Sequence, residues 1–123
     1  MHININKEKK IITIAINNQL TAENMQKYVQ EINKQIDKLS YKNKIDLNEW
    51  RFNIYTCYMI INKKDLKIIK EFFNLFINMN FKLIDIITNK PQKLYREWID
   101  DIINKYFNNY HIKTLATNNI FKF

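Results

Sequence analysis

Residues 65–80 are apolar around most of a helix's circumference, and a mostly apolar run, residues 81–88, follows at once. In the first stretch the polar positions Lys67, Lys70, Glu71, Asn74 and Asn78 recur at steps of three and four, so they form one narrow stripe. Leu66, Ile68, Ile69, Phe72, Phe73, Leu75, Phe76, Ile77 and Met79 fill the rest. A surface helix has the opposite balance. This arc therefore needs two covers: a sheet below, and a second helix or another subunit beside it. Phe72, Phe73, Phe76 and Met79 are accordingly the candidate protein interface. Asn62 can cap the helix. Asn78 and Asn80 tolerate the left-handed turn that ends it. Residues 81–88 (Phe-Lys-Leu-Ile-Asp-Ile-Ile-Thr) then read as a strand covered on both faces.

The rest of the chain supplies partners for this unit. Ile3 and Ile5, then Ile12, Ile14 and Ile16, alternate with polar residues around the link Lys7-Glu8-Lys9, which predicts a hairpin. Thr21 can cap a helix whose apolar positions Met25, Tyr28, Val29, Ile32, Ile36 and Leu39 keep helical spacing. Its outer face is mixed in charge. Residues 45–47 read as a short strand, and residues 51–61, rich in aromatic and β-branched side chains, as a long one. Pro91 suits the start of a third helix, with Leu94, Tyr95, Trp98, Ile99, Ile102, Ile103, Tyr106 and Phe107 inward and Arg96, Glu97, Asp100 and Asp101 outward. Residues 111–115 and 119–123 read as a closing strand or tail. Alternation of this kind predicts an α/β fold: one domain over residues 1–123, with a mostly parallel or mixed sheet of about four to five strands and three amphipathic helices.

Composition narrows the function. Glycine is absent, so the phosphate-cradling loops, the dinucleotide fingerprint and the nucleophile elbow are excluded as motifs. His2 and His111 are far apart in sequence, and the lone Cys57 rules out an internal disulfide or a multi-cysteine zinc site. No metal, cofactor or catalytic residue is expected. Asp85, a lone carboxylate in an apolar strand, is expected to sit near a strand end on backbone donors. No run of eighteen apolar residues exists to span a membrane, and the N-terminus lacks the apolar core of a signal peptide; a cytoplasmic protein is expected. The net charge of +8 comes from 18 lysines and only Arg51 and Arg96, alongside many isoleucines and asparagines. These are residues of AT-rich codons, as in AT-rich bacteria, phages or mobile elements. Part of the charge therefore records codon bias, although it still favours anionic partners. If the sheet is parallel, helix starts gather at its carboxyl edge. There Asn62, Lys63, Lys64, Lys90 and Lys93 form a candidate site for nucleic acid or a phosphate-bearing ligand.

Residues 20–52 carry a further pattern. Asn18-Gln19-Leu20-Thr21 opens a helix, Ile45-Asp46-Leu47-Asn48 looks like a strand end, and Phe52 falls six residues past Asp46. In these features the chain resembles the STAS domain of bacterial anti-sigma-factor antagonists. The resemblance implies a non-catalytic regulator that binds another protein. The family's Asp-Ser-Ser-Gly switch would fall on Ile54-Tyr55-Thr56-Cys57, where only Thr56 keeps an aliphatic hydroxyl. The expected function is thus that of a protein-binding regulator, inhibitor or immunity protein. Its partner is another protein, or a second copy of the chain in a homodimer.

Overall fold

A computed structural model describes residues 1–41, 44–57, 59 and 66–118. The elements run β1 (His2–Asn6), β2 (Ile11–Ala15), α1 (Ala22–Ser40), a 3-10 turn (Leu47–Glu49), β3 (Arg51–Tyr55), α2 (Leu66–Ile77), β4 (Leu83–Asn89), α3 (Lys93–Tyr106) and β5 (Ile112–Thr117). The five strands stand in sequence order, β1-β2-β3-β4-β5. The β1–β2 pair is antiparallel, and every later pair is parallel. This is the α/β architecture expected from the alternation.

Local chemistry explains the joints. The hairpin turns without glycine: Asn6 accepts the Lys9 N–H at 3.0 Å, and Lys10 takes the left-handed position at φ 55°. Thr21 caps α1, its hydroxyl accepting the Asn24 N–H at 3.1 Å. Asn80, at φ 61°, makes the left-handed turn after α2.

Because the strands are consecutive, each crossover steps one strand in the same direction. Crossovers of one hand then place all three helices on the same face of the sheet. The register bears this out. Ile12, Phe52, Ile84 and Ile112 align across four strands, as do Ile14, Ile54 and Ile86 across three. All belong to one core with Met25, Tyr28 and Ile32 of α1, Ile69, Phe72, Phe73 and Phe76 of α2, and Ile99, Ile102 and Ile103 of α3. The alternate residues Ile11, Leu83 and Ile87 lie outside that core.

Helix α2 finds both of its covers within the chain. Phe76 stacks on Phe52 of the sheet at 4.9 Å, and Phe73 meets Phe107, just after α3, edge-on at 5.7 Å. The Lys70 ammonium also sits 3.9 Å above the Tyr106 ring. Phe72, Phe73 and Phe76, expected as a protein interface, are at most 1% exposed and have no surface left to offer a partner. Met79 is half-buried against the same core.

Other expectations change too. Residues 45–47 are not a strand: Asp46 instead caps the 3-10 turn through the Asn48 N–H, at 3.3 Å. Strand β3 ends at Tyr55; of its expected continuation, Thr56 makes one more backbone bond to β4, its N–H donating to the Ile87 carbonyl at 3.0 Å, Cys57 stands in a turn, and Tyr58, Ile60 and Ile61 lie outside the described residues. Leu94, placed on the inner stripe of α3, is 75% exposed. Residues 119–123 lie outside the described residues.

Candidate functional site

The sheet has a second face, and all three helices lie on the other one. It is built from the strand positions that point away from the core: Ile11, Thr13 and Ala15 on β2, Arg51, Asn53 and Tyr55 on β3, Leu83, Asp85 and Ile87 on β4, and Lys113 and Leu115 on β5. One row runs across it at a single register level: Asn4, Thr13, Asn53, Asp85, Lys113. Apolar residues flank this polar row on both sides. Lys113 is exposed, and Leu115 is exposed at 39%.

Asp85 is the centre of the face. It sits in mid-strand rather than near an end, is 2% exposed, and is held by Arg51, whose Nη2 donates to Oδ2 at 3.0 Å. The other carboxylate oxygen, Oδ1, and the neighbouring Asn53 Oδ1 are buried and have no donor among the described residues.

The carboxyl edge, where the lysine site was expected, is arranged differently. Asn62, Lys63 and Lys64 lie outside the described residues. Lys90 and Lys93 are exposed at the start of α3, where the Lys93 ammonium lies 3.9 Å from Glu97. The Arg96 guanidinium spans the β4–α3 loop, donating to Thr88 Oγ1 at 3.2 Å and to the Asn89 and Lys90 carbonyls at 3.1 and 3.4 Å. Arg96 thus closes a loop instead of facing water. Asp100, also expected outward, accepts the Thr114 hydroxyl at 2.5 Å and ties α3 to β5. Strand order never reverses in this sheet, so there is no switch point at which neighbouring loops diverge into a ligand crevice.

Nucleophile chemistry is equally unsupported at this edge. The Thr56 hydroxyl, at the position of the STAS switch, is 1% exposed and donates to the Ile87 carbonyl at 3.1 Å. Burial pushes the Cys57 thiol up, which disfavours the reactive thiolate. His2 pairs with Ala15 at the carboxyl end of β2, whereas His111 precedes β5 at the opposite end of the sheet. Among the described residues no cluster of three or more His, Cys, Asp or Glu is placed to hold a metal. Likewise, no described helix is long and apolar enough to cross a membrane.

Tyr95 lies beneath the same edge. Burial pushes its phenol up to about 12; the Thr56 hydroxyl, already committed as a donor to Ile87, offsets only part of that, and the Cys57 thiol adds to it. Among the described residues the Tyr95 hydroxyl meets no partner at hydrogen-bonding geometry. A raised pKa means that folding favours the neutral phenol. That contribution is complete below the unfolded value near 10 and is lost as pH climbs towards 12. Stability should therefore fall by about 2–3 kcal/mol across this window. Urea unfolding at about pH 9 and about pH 11 should show part of this slope. Tyr95→Phe should flatten it, and an unchanged slope in that variant would rule out Tyr95 as its source.

The second sheet face escaped the sequence reading because each strand alone shows only alternation. Thr13, Asn53, Asp85 and Lys113 become one row only when the register of four strands is known. No family model matches the chain, and no curated protein matches it.

Proposed function

We propose that this chain is a non-catalytic protein-binding regulator or inhibitor, and that its partner docks on the sheet face opposite the helices. The observation that carries this reading is the topology. Mostly parallel sheets are normally covered on both faces, and here the three helices cover one. The composition of the other face also supports it. Exposed Arg51 and Leu115, with half-buried Leu83, offer apolar area and an arginine, the mixture found in recognition surfaces, around Asp85 and Ile87, which are themselves buried. Five strands at about 4.8 Å spacing and about 17 Å length give roughly 400 Å² of projected area. A partner of similar contribution makes an interface of about 800 Å² in total, the size of a weak, transient contact rather than of a stable complex, as suits a reversible regulator.

The STAS-like features point to the same class of function, with one adjustment. Ile45–Asn48 leads into β3 instead of ending a strand, and the Thr56 hydroxyl is buried, so this regulator works by binding without a phosphorylation switch at that position. An inhibitor or immunity protein of a phage or mobile element, acting in the cytoplasm, fits the AT-rich residue usage.

The test is Leu115→Asp combined with Lys113→Glu, both exposed on β5, measured against Lys34→Glu on the outer face of α1. The β5 variant should remain folded and lose the partner recovered from host lysate, or lose the dimer in sedimentation if the partner is a second copy. The α1 variant should lose neither. A β5 variant that keeps the same partner, or the same dimer, would overturn the assignment of the face.

A further inference from the structure

The amino end of the sheet carries a separate surface, independent of the face proposed above. Backbone hydrogen bonds lock the lead-in residues of four strands into one row: Arg51 N–H to the Lys10 carbonyl at 3.0 Å, Lys82 N–H to Trp50 at 2.8 Å, and Ile84 N–H to His111 at 2.8 Å. Beside this row, between the 3-10 turn and the ends of α2 and α3, opens a cleft of about 410 Å³. That volume falls within the range of ligand clefts, about 300–1,000 Å³. Its floor is apolar and buried, formed by Ile77, Phe81 and Ile84. Its rim is Asn48, Asn80, Asn109, Tyr110 and His111.

The chemistry of the rim is specific. Three carboxamides and an imidazole each offer a donor and an acceptor, and the lining contains no lysine, arginine or carboxylate. Among the described residues, no side-chain hydrogen bond occupies Asn80, Asn109 or His111. Tyr110 is 54% exposed: its N–H donates to the Phe107 carbonyl at 3.1 Å, and its ring lies 6.5 Å from that of the buried Phe107. Cations stand along the same amino edge of the sheet. Lys10 is taken by Glu49 at 2.9 Å, which holds the Glu49 carboxyl below its usual range. Lys9 and Lys82 are exposed and have no ion pair among the described residues.

We infer that this cleft binds one unpaired base of a single-stranded nucleic acid. The base ring lies on Tyr110 and the apolar floor, its edge meets the asparagine amides, and the adjoining phosphates meet Lys82 and Lys9. An uncharged lining with paired donors and acceptors matches a base edge. An exposed aromatic ring with lysines along the same edge of the sheet is the combination by which single strands are held. A duplex keeps its base edges paired and cannot enter.

Fluorescence anisotropy of the full chain with a labelled single-stranded oligonucleotide of about twelve nucleotides, long enough to span one binding module, tests this. A hairpin of the same composition whose strands are joined by a non-nucleotide linker, leaving no base unpaired, is the comparison. The single strand should bind better than the hairpin. Its affinity should fall with salt at a logarithmic slope of roughly −1.4, about −0.7 for each of two phosphates. Tyr110→Ala should weaken binding about tenfold and leave the slope unchanged, whereas Tyr110→Phe should bind like the parent. Lys82→Ala should reduce the slope by about 0.7, and Lys90→Ala, at the opposite edge, should change nothing. If Tyr110→Ala fails to fold, Asn109→Asp carries the test, since a carboxylate beside the phosphates should also reduce affinity several-fold. Absence of saturable binding, equal affinity for the hairpin, or full affinity in Tyr110→Ala (or in Asn109→Asp where it stands in) would overturn the proposal.

Discussion

Phe76→Ala is expected to lower the stability of this protein by about 3–5 kcal/mol, the range for emptying a buried phenylalanine site. Phe76 is 1% exposed and lies at a junction of rings, stacked on Phe52 at 4.9 Å and edge-on to Phe72 at 4.9 Å. Phe52 in turn stacks on Phe81 at 4.6 Å, so the aromatic chain links α2 to β3 and to the lead-in of β4. Removing the central ring leaves a cavity that rigid β-strands on one side cannot fill. Urea unfolding should show a lower midpoint with an unchanged m-value. Phe76→Asp is the sharper version. A carboxylate among these rings has no partner, and its desolvation exceeds what a domain of ordinary stability, about 5–15 kcal/mol, can absorb. That variant should be unfolded. A soluble, folded monomer would instead mean that the arc of α2 faces a partner, against the packing described above.

The second large effect concerns the Arg51–Asp85 pair. Arg51→Met should cost about 3 kcal/mol, the lower part of the range for stranding a buried charge, because the Arg51 side chain is itself 45% exposed. Asp85 would then be 98% buried with neither oxygen satisfied, since Oδ1 already lacks a donor. The loss belongs to the uncompensated carboxylate rather than to the ion pair. The double change Arg51→Met with Asp85→Leu should therefore restore stability to within about 1 kcal/mol of the parent, or exceed it. If the double variant is no more stable than Arg51→Met alone, the pair supports the sheet in some way other than by neutralising Asp85. A loss below about 0.5 kcal/mol in the single variant would show that solvent already screens the carboxylate.

Both predictions concern residues whose identity was legible in the sequence and whose role was not. The helical spacing of Leu66 to Met79 marked an all-round apolar helix, but spacing cannot say whose surface covers it. Phe52 and Phe107 close it from within the chain, 24 residues before Phe76 and 31 after it. Asp85 stood out as a carboxylate in an apolar strand. Its partner Arg51 lies 34 residues earlier on a neighbouring strand, and only the β3–β4 register brings the two together. Leu94 shows the reverse failure: it keeps the apolar period of α3 and is 75% exposed, while its neighbour Tyr95 packs against the core.

The sequence by itself determined the element order, the hairpin, the Thr21 cap, a left-handed turn at Asn78 or Asn80 and the buried character of β4. Each of these is local: it follows from side-chain periodicity, capping chemistry or backbone preference within a few residues. Tertiary structure alone decided that all three helices share one face, that α2 is closed internally, and that a polar row crosses the second face of the sheet. It also decided that the asparagines and Tyr110 converge on one cleft. These depend on strand order and register, which are set by the summed packing of the whole core. No stretch of the chain contains that information alone.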